Sequence, residues 1–217
     1  MDLICITTTI SKNEISIKRR NNIVKKFSTF NIPVILNHGL VKQSVNHDVS
    51  SAIITNSLNI FMKTTYKYAI ICDDDFDPID TFLEDLKKTI DLLPSDWRCL
   101  HLCPGYLWGR KYRDKSKIGH LNPEYPMKDI PFDPSGRFYF ANKHVYTRRK
   151  FWVGGPVAFV VNNASSLLTD FTNKYKECPR AADVLLTQIL NEHDYICREP
   201  LLGHEDEQGG STLKLRG

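Results

Sequence analysis

Residues 68 to 78 read YAIICDDDFDP, and this stretch decides the fold. Tyr68 to Cys72 is short, apolar and free of polar alternation, the pattern of a strand buried on both faces. Such a strand belongs to a sheet flanked by helices, and its C-terminal end opens on the edge where open α/β sheets bind ligands. Asp73, Asp74 and Asp75 stand at that end. Three adjacent carboxylates repel one another unless something cationic lies among them. Their hard oxygens suit Mg2+ or Mn2+, held together with phosphate oxygens. With the strand extended through residue 75, alternation points Asp73 and Asp75 the same way, to share one ion, and Asp74 the other way. The competing reading is a solvated acidic turn capping the helix after Pro78.

Working outward, Asp2 to Thr9 (DLICITTT) reads as a buried first strand ending in three hydroxyls. Ser16 to Phe30 places Ile17, Ile23, Val24, Phe27 and Phe30 between basic residues, an amphipathic helix. Ile32 to Leu36 is a second strand, closed by the turn-prone Asn37, His38 and Gly39. A helical pattern over Val49 to Lys63 leads into the aspartate strand. Pro78 and Asp80 then start a helix over Thr81 to Leu93, since Pro suits a first turn and Asp complements the dipole. Leu100 to Leu102 lies in the next strand. Pro104 to Lys150 is irregular, rich in Gly, Pro, aromatic and basic residues, with a hairpin around Phe138 to Tyr146; long loops in compact domains are usually functional. Val157 to Val161 is a further strand, Ala164 to Tyr175 and Ala181 to Glu192 are helices, and Tyr195 to Arg198 is a strand. The polar, Gly-rich tail Gly203 to Gly217 reads as a flexible flap. Alternating strands and helices predict an α/β fold with a mostly parallel sheet and helices on both faces. No repeat, low-complexity tract or linker divides the chain, so one domain is expected over 1–217.

Composition agrees: 217 residues, 41% hydrophobic and 25% charged, with 11 Gly and 11 Pro. A chain of this length buries about 70% of its unfolded surface and needs neither disulfides nor a structural metal to hold a core. A formal charge of +4 suits an anionic small ligand and is too mild to announce a nucleic-acid partner. The six cysteines lack CxxC spacing and several lie in strand-like runs, which fits reduced, buried thiols. No apolar run approaches the about 20 residues of a membrane span, and Leu3 to Ile6 gives way at once to Thr7 to Thr9, unlike a secretory leader. A cytoplasmic protein is expected.

Other motifs are set aside on chemistry. Asp73, Asp75, Asp77 and Glu84 fall at ligand positions of an EF-hand loop, but Pro78 stands where that loop needs Gly, and a strand precedes it where a helix is required. Cys99, His101 and Cys103 alternate along a strand, which puts the outer two about 13 Å apart, beyond any zinc ion with bonds of about 2.3 Å. Tyr106 to Arg113 and Phe138 to Trp152 interleave aromatic and basic residues, as single-strand nucleic-acid binders do, but equally as a sugar acceptor and a diphosphate require. A phosphatase-type Asp-x-Asp nucleophile also suits a strand end.

The Asp-x-Asp motif after a hydrophobic strand resembles the nucleotide-sugar glycosyltransferases of the GT-A fold. The helix Val49 to Lys63 leading into YAIICDDD, the run GGPVAFVV at 154 to 161 followed by a helix, and the acid-bearing helix start at Asp183 come in the order found in lipooligosaccharide-type glycosyltransferases. The layout is closer still to small glycosyltransferase domains encoded by large algal viruses, the chloroviruses. The resemblance spans nearly the whole chain. It implies a single GT-A domain, with residues 1 to 103 binding the nucleotide and 104 to 217 forming the acceptor side and the C-terminal part. It also implies a UDP-sugar donor, Mn2+ or Mg2+, a glycan or glycoprotein acceptor, and, for a viral protein, the host cytoplasm.

By the same resemblance, Asp75 is a direct metal ligand, and Asp73 binds the ion directly or through water and approaches the ribose. Asp74 belongs to the same nucleotide-binding cluster. Thr7, Thr8 and Thr9 line the nucleoside pocket. Arg19 and Arg20 either reach the base or a phosphate or form a solvated basic helix face. His204 is either a further metal ligand, of a kind that favours Mn2+, or an exposed loop histidine. Asp183, in a first helical turn, is either the base that deprotonates the acceptor hydroxyl or an ordinary helix-start acid. Family members carry a more acidic motif there, whereas this chain reads Arg180, Ala181, Ala182, Asp183. Two other functions use the same features: a metal-dependent phosphohydrolase or nuclease, and a non-catalytic carbohydrate-binding module. The carboxylate cluster argues against the latter, having little reason to exist beside a neutral sugar.

Overall fold

The computed structural model describes residues 1–9, 14–38, 48–102, 138–140, 145–148, 158–162, 164–197 and 201–204. β1 (Leu3–Thr9) and β3 (Tyr68–Asp73) lie side by side and parallel, with β2 (Val34–His38) parallel on the other flank of β1. Period-2 alternation divides their side chains between two cores. Leu3, Cys5, Ile70 and Cys72 pack on one face against Ile23 and Phe27 of α1 (Glu14–Thr29) and Phe82 and Leu86 of α3 (Phe82–Ile90). Ile4, Ile6, Ala69 and Ile71 pack on the other against α2 (Asp48–Met62), α4 (Ala164–Glu177) and α5 (Ala182–Ile189), through Leu58, Phe171 and Leu185. A strand with helices on both sides has no face for water, which is why these strands read as unbroken apolar runs.

The sheet is completed by β5 (Cys99–His101), β6 (Phe138–Phe140), β7 (Val145–Arg148), β8 (Ala158–Val161) and β9 (Asp194–Cys197), in the order β2-β1-β3-β8-β5-β9-β7-β6. β8 runs antiparallel to both β3 and β5, and β7 antiparallel to both β9 and β6. The other six strands share one direction, so the sheet is mixed and mostly parallel, as the alternation of elements predicts. Because β8 inserts between β3 and β5, strands from the first and second halves of the chain interleave in one sheet.

Several boundaries differ from the sequence reading, each for a local reason. α1 ends in a Schellman turn in which Asn31 takes the left-handed conformation (φ 56°) and Ile32 N–H returns to the Phe27 carbonyl at 3.1 Å. That turn consumes Ile32, so β2 starts at Val34 and carries Asn37 and His38 inside the strand instead of in a turn. Ile17, expected on the apolar face of α1, is exposed; the buried stripe is Ser16, Arg19, Ile23 and Phe27. Pro78 does not open a helix: it lies in β4 (Phe76–Pro78), and Thr81 is the residue that precedes α3. The described cysteines are free thiols, with Cys5 and Cys72 facing each other at 3.9 Å between sulfurs. Among the described residues no helix is long and apolar enough to cross a membrane.

Candidate active site

The strands that share β1's direction end at one edge, and the sequence-predicted residues gather there. Asn37, Thr8 and Asp73 form a register row across β2, β1 and β3, and partners in a parallel ladder share a face. Thr7, Thr8 and Thr9 are all buried, and the Thr8 hydroxyl has no hydrogen-bond partner among the described residues. Asn37 is equally buried and held on both ends: its amide donates to Ser57 Oγ at 2.8 Å and its Oδ1 accepts from Asn56 at 2.7 Å. Reading Asn37 as a turn residue hid its place in this row.

β3 stops at Asp73, and Asp74 and Asp75 form a turn before Phe76 re-enters the core. The alternation expected for the three aspartates therefore lacks its premise, since the backbone is not extended through residue 75. Asp74, expected to face away, is the most enclosed of the three, with 7% of its surface exposed. Burial, and next the charge of Asp75, push its carboxyl from the ordinary 3.8 up to about 6, with the Thr9 side chain and Arg19 partly offsetting them.

Arg19 sits on the buried stripe of α1 with only 1% of its surface exposed, its Nη1 3.8 Å from Asp75 Oδ2. It is thus not part of a solvated helix face. Arg20, one residue on, is half-buried. Two turns after Arg19, Lys26 pairs with Asp77. α1 therefore presents two cations to two alternate acids, Asp75 and Asp77, a pairing that no local pattern announces because the partners are more than 50 residues apart.

β10 (Leu202–His204) pairs antiparallel with β4, placing Gly203 opposite Asp77 and His204 opposite Phe76. The start of the expected flap is thus a strand beside the aspartate turn, docked further by Leu201 N–H on the Leu102 carbonyl at 2.9 Å. Leu201 and Leu202 are buried, which removes two apolar residues from water and fixes the segment. Residues 205–217 of the tail lie outside the described residues. The backbone of His204 comes back to the cluster.

Asp183 lies in the first turn of α5, partly buried, where its Oδ1 accepts the Val184 N–H at 2.9 Å. α5 leads back to β9, so its start faces the same sheet edge as Asp73. It is docked on α2 by Ser51, which donates to the Arg180 carbonyl at 2.6 Å, and by Ser50, which accepts the Ala182 N–H at 3.0 Å. Cys99 is buried in the core, and His101 packs against the Phe159 ring at 5.8 Å; Cys103 and the segment Tyr106 to Arg113 lie outside the described residues. Among the described residues no three His, Cys, Asp or Glu side chains converge as a ready-made metal cage. The donor type at the turn is nevertheless right for a hard ion, which is ordinarily held by one or two carboxylates and completed by water and substrate phosphates.

No family model matches the sequence, and no curated protein matches it. Among solved structures, the chain is similar to a glycosyltransferase involved in the glycosylation of the major capsid of PBCV-1. The TM-score is 0.52 at 12% identity, over 99% of this chain and 97% of that one. Two Drosophila beta-1,4-galactosyltransferase 7 structures, one in complex with manganese, UDP-Gal and xylobiose, match at TM-scores of 0.36 and 0.37 and 15% identity. They cover 74% and 79% of this chain and 48% and 51% of theirs. The end-to-end match to the PBCV-1 protein, together with the strand order and direction described above, gives the chain a GT-A-like glycosyltransferase fold.

Proposed function

We propose that the protein is a metal-dependent glycosyltransferase of the hexosyltransferase class, moving a sugar from a nucleoside diphosphate sugar, a UDP-sugar, to a glycan or glycoprotein acceptor. The observation that carries this reading is the aspartate turn at the C-terminal end of β3, backed by a buried arginine, in a chain whose fold follows a glycosyltransferase from end to end. Asp73 and Asp75 would hold Mn2+ or Mg2+, with His204 as a further ligand. When bound, the ion supplies positive charge against the departing nucleoside diphosphate.

The chain's own residues do the rest. Thr7, Thr8 and Thr9 offer hydroxyl and backbone groups to the nucleoside, and Asp74 completes the cluster beneath it. Arg20 has the reach to meet a phosphate. Asp183, in the first turn of α5, takes the proton of the acceptor hydroxyl. Residues 1 to 103 serve the nucleotide, and 104 to 217 form the acceptor side and the C-terminal part that carries His204, the acceptor being a glycan class in keeping with the capsid glycosylation attributed to the PBCV-1 protein. The compartment is the cytoplasm, of the host cell if the protein is viral.

Calorimetry with UDP-sugars in Mn2+ and in excess EDTA tests the reading. Binding is expected only with the ion, and Asp75→Asn should abolish transfer under conditions where the variant remains folded, while melting lower than wild type because the buried Arg19 loses its partner. Undiminished affinity in EDTA would remove the metal from the site. Turnover of phosphate esters without an acceptor, with indifference to nucleotide sugars, would point instead to a phosphohydrolase.

A further inference from the structure

Arg19 occupies a position where helical spacing calls for an apolar residue. It shares the buried stripe of α1 with Ser16, Ile23 and Phe27, and its side chain is almost fully withdrawn from water. A guanidinium is expensive to bury, and an apolar residue of similar volume would usually fill such a site at no loss of stability. The cost is offset by negative charge that the fold holds nearby: Asp75 lies at 3.8 Å, and Asp74 also feels the guanidinium. Lys26 on the same helix is already engaged with Asp77. The charges at the turn can therefore be counted: Asp73, Asp74 and Asp75 ionised bring three negative charges, and Arg19 returns one. The remainder matches one divalent cation.

We propose that Arg19 is the built-in counter-ion of the aspartate turn, holding Asp75 in place before the metal arrives, and that it does not contact the nucleotide. The inference rests on the metal-dependent reading above. Guanidinium and metal act on the same carboxylates, so they are antagonists in binding: each stabilises the turn less when the other is present. Removing the guanidinium should destabilise the metal-free protein and tighten its grip on the ion, since one fixed positive charge no longer repels it.

The test compares wild-type protein with Arg19→Met, Arg19→Lys and the double variant Arg19→Met/Asp75→Asn, in melting temperature without metal and in Mn2+ affinity followed by electron paramagnetic resonance of the free ion. Arg19→Met should melt lower without metal, bind Mn2+ about tenfold more tightly, and show a larger Mn2+-induced rise in melting temperature than wild type. Arg19→Lys, which keeps the charge, should stay within about twofold of wild-type Mn2+ affinity. The double variant should regain melting temperature relative to Arg19→Met, because the carboxylate that lost its partner, Asp75, is no longer charged. Should Arg19→Met not fold, Arg19→Gln carries the same comparison, keeping a planar polar end group without charge. Equal Mn2+ affinities and equal rises in wild type and variant overturn the inference while leaving the metal reading intact. No Mn2+ binding by any of the proteins overturns the metal reading and the inference with it.

Discussion

Asp74 shows how a single residue can be destabilising and useful together. Its carboxyl is held protonated up to about 6, chiefly by burial and then by Asp75, whereas the unfolded chain ionises it near 3.8. Between those values the unfolded state loses its proton first, so stability falls as pH rises through that window and stays lower above it. The loss is about 3 kcal/mol at most, taking about 1.4 kcal/mol per unit. Asp74→Asn removes the titration. In metal-free buffer the variant should melt close to wild type at pH 4 and clearly higher at pH 7.5, and a difference independent of pH would show that Asp74 carries no such penalty. A carboxylate disfavoured in this way is relieved by a bound cation, which links the residue to the proposed chemistry.

At the scale of elements, the β4–β10 ribbon matters most, because it joins the C-terminal segment to the turn that carries the aspartates. Its strands have three residues each, too few to make a stable pair on their own. The ribbon is held by what it buries: Phe76 and Leu202 are both in the core. Leu202→Ala should cost about 2–5 kcal/mol of stability, as large-to-small core changes do. If the ribbon positions the site, the variant should also weaken Mn2+-dependent nucleotide binding under conditions where it remains folded. Urea unfolding and calorimetry together check this, and full nucleotide affinity in a destabilised variant would confine the ribbon to a structural role.

Across the whole molecule the sheet separates two tasks at its two ends. At the edge opposite the aspartates, Arg98 forms a fork on Asp194, with Nε to Oδ1 at 3.0 Å and Nη2 to Oδ2 at 2.6 Å, and also pairs with Asp170. Its Nη2 reaches the Ile189 carbonyl as well, at 2.9 Å, so one side chain ties the start of β5 to α4, α5 and β9. Asp194 is completely buried. Arg98→Met leaves that carboxylate uncompensated and should cost about 3–5 kcal/mol in urea unfolding. Nucleotide affinity of the folded variant should be unchanged, because the clamp lies a strand length from the site. A fall in affinity at constant fold would mean that the two edges are coupled.

The sequence by itself determined the layered α/β architecture. Runs such as Leu3 to Ile6 and Tyr68 to Cys72 can satisfy their burial only between two layers of helices, and β-α-β connections leave the strand ends at one edge. It also put hydroxyls and carboxylates at that edge, since Thr7 to Thr9 and Asp73 each end a strand, although it took the sheet to show that the two strands are neighbours. Only the tertiary structure decided that β8 lies antiparallel between β3 and β5, because an apolar strand buried on both faces has no polar side from which to read its direction. The turn at Asp74 and Asp75 was likewise invisible, being imposed by the pull of Phe76 into the core. So were the partners of Arg19 and Lys26, and the return of Leu202 to His204 alongside Phe76 to Pro78. These contacts join residues far apart in the chain, and the free energy that selects them comes from burial and charge compensation in the assembled fold, not from any preference of the segments alone.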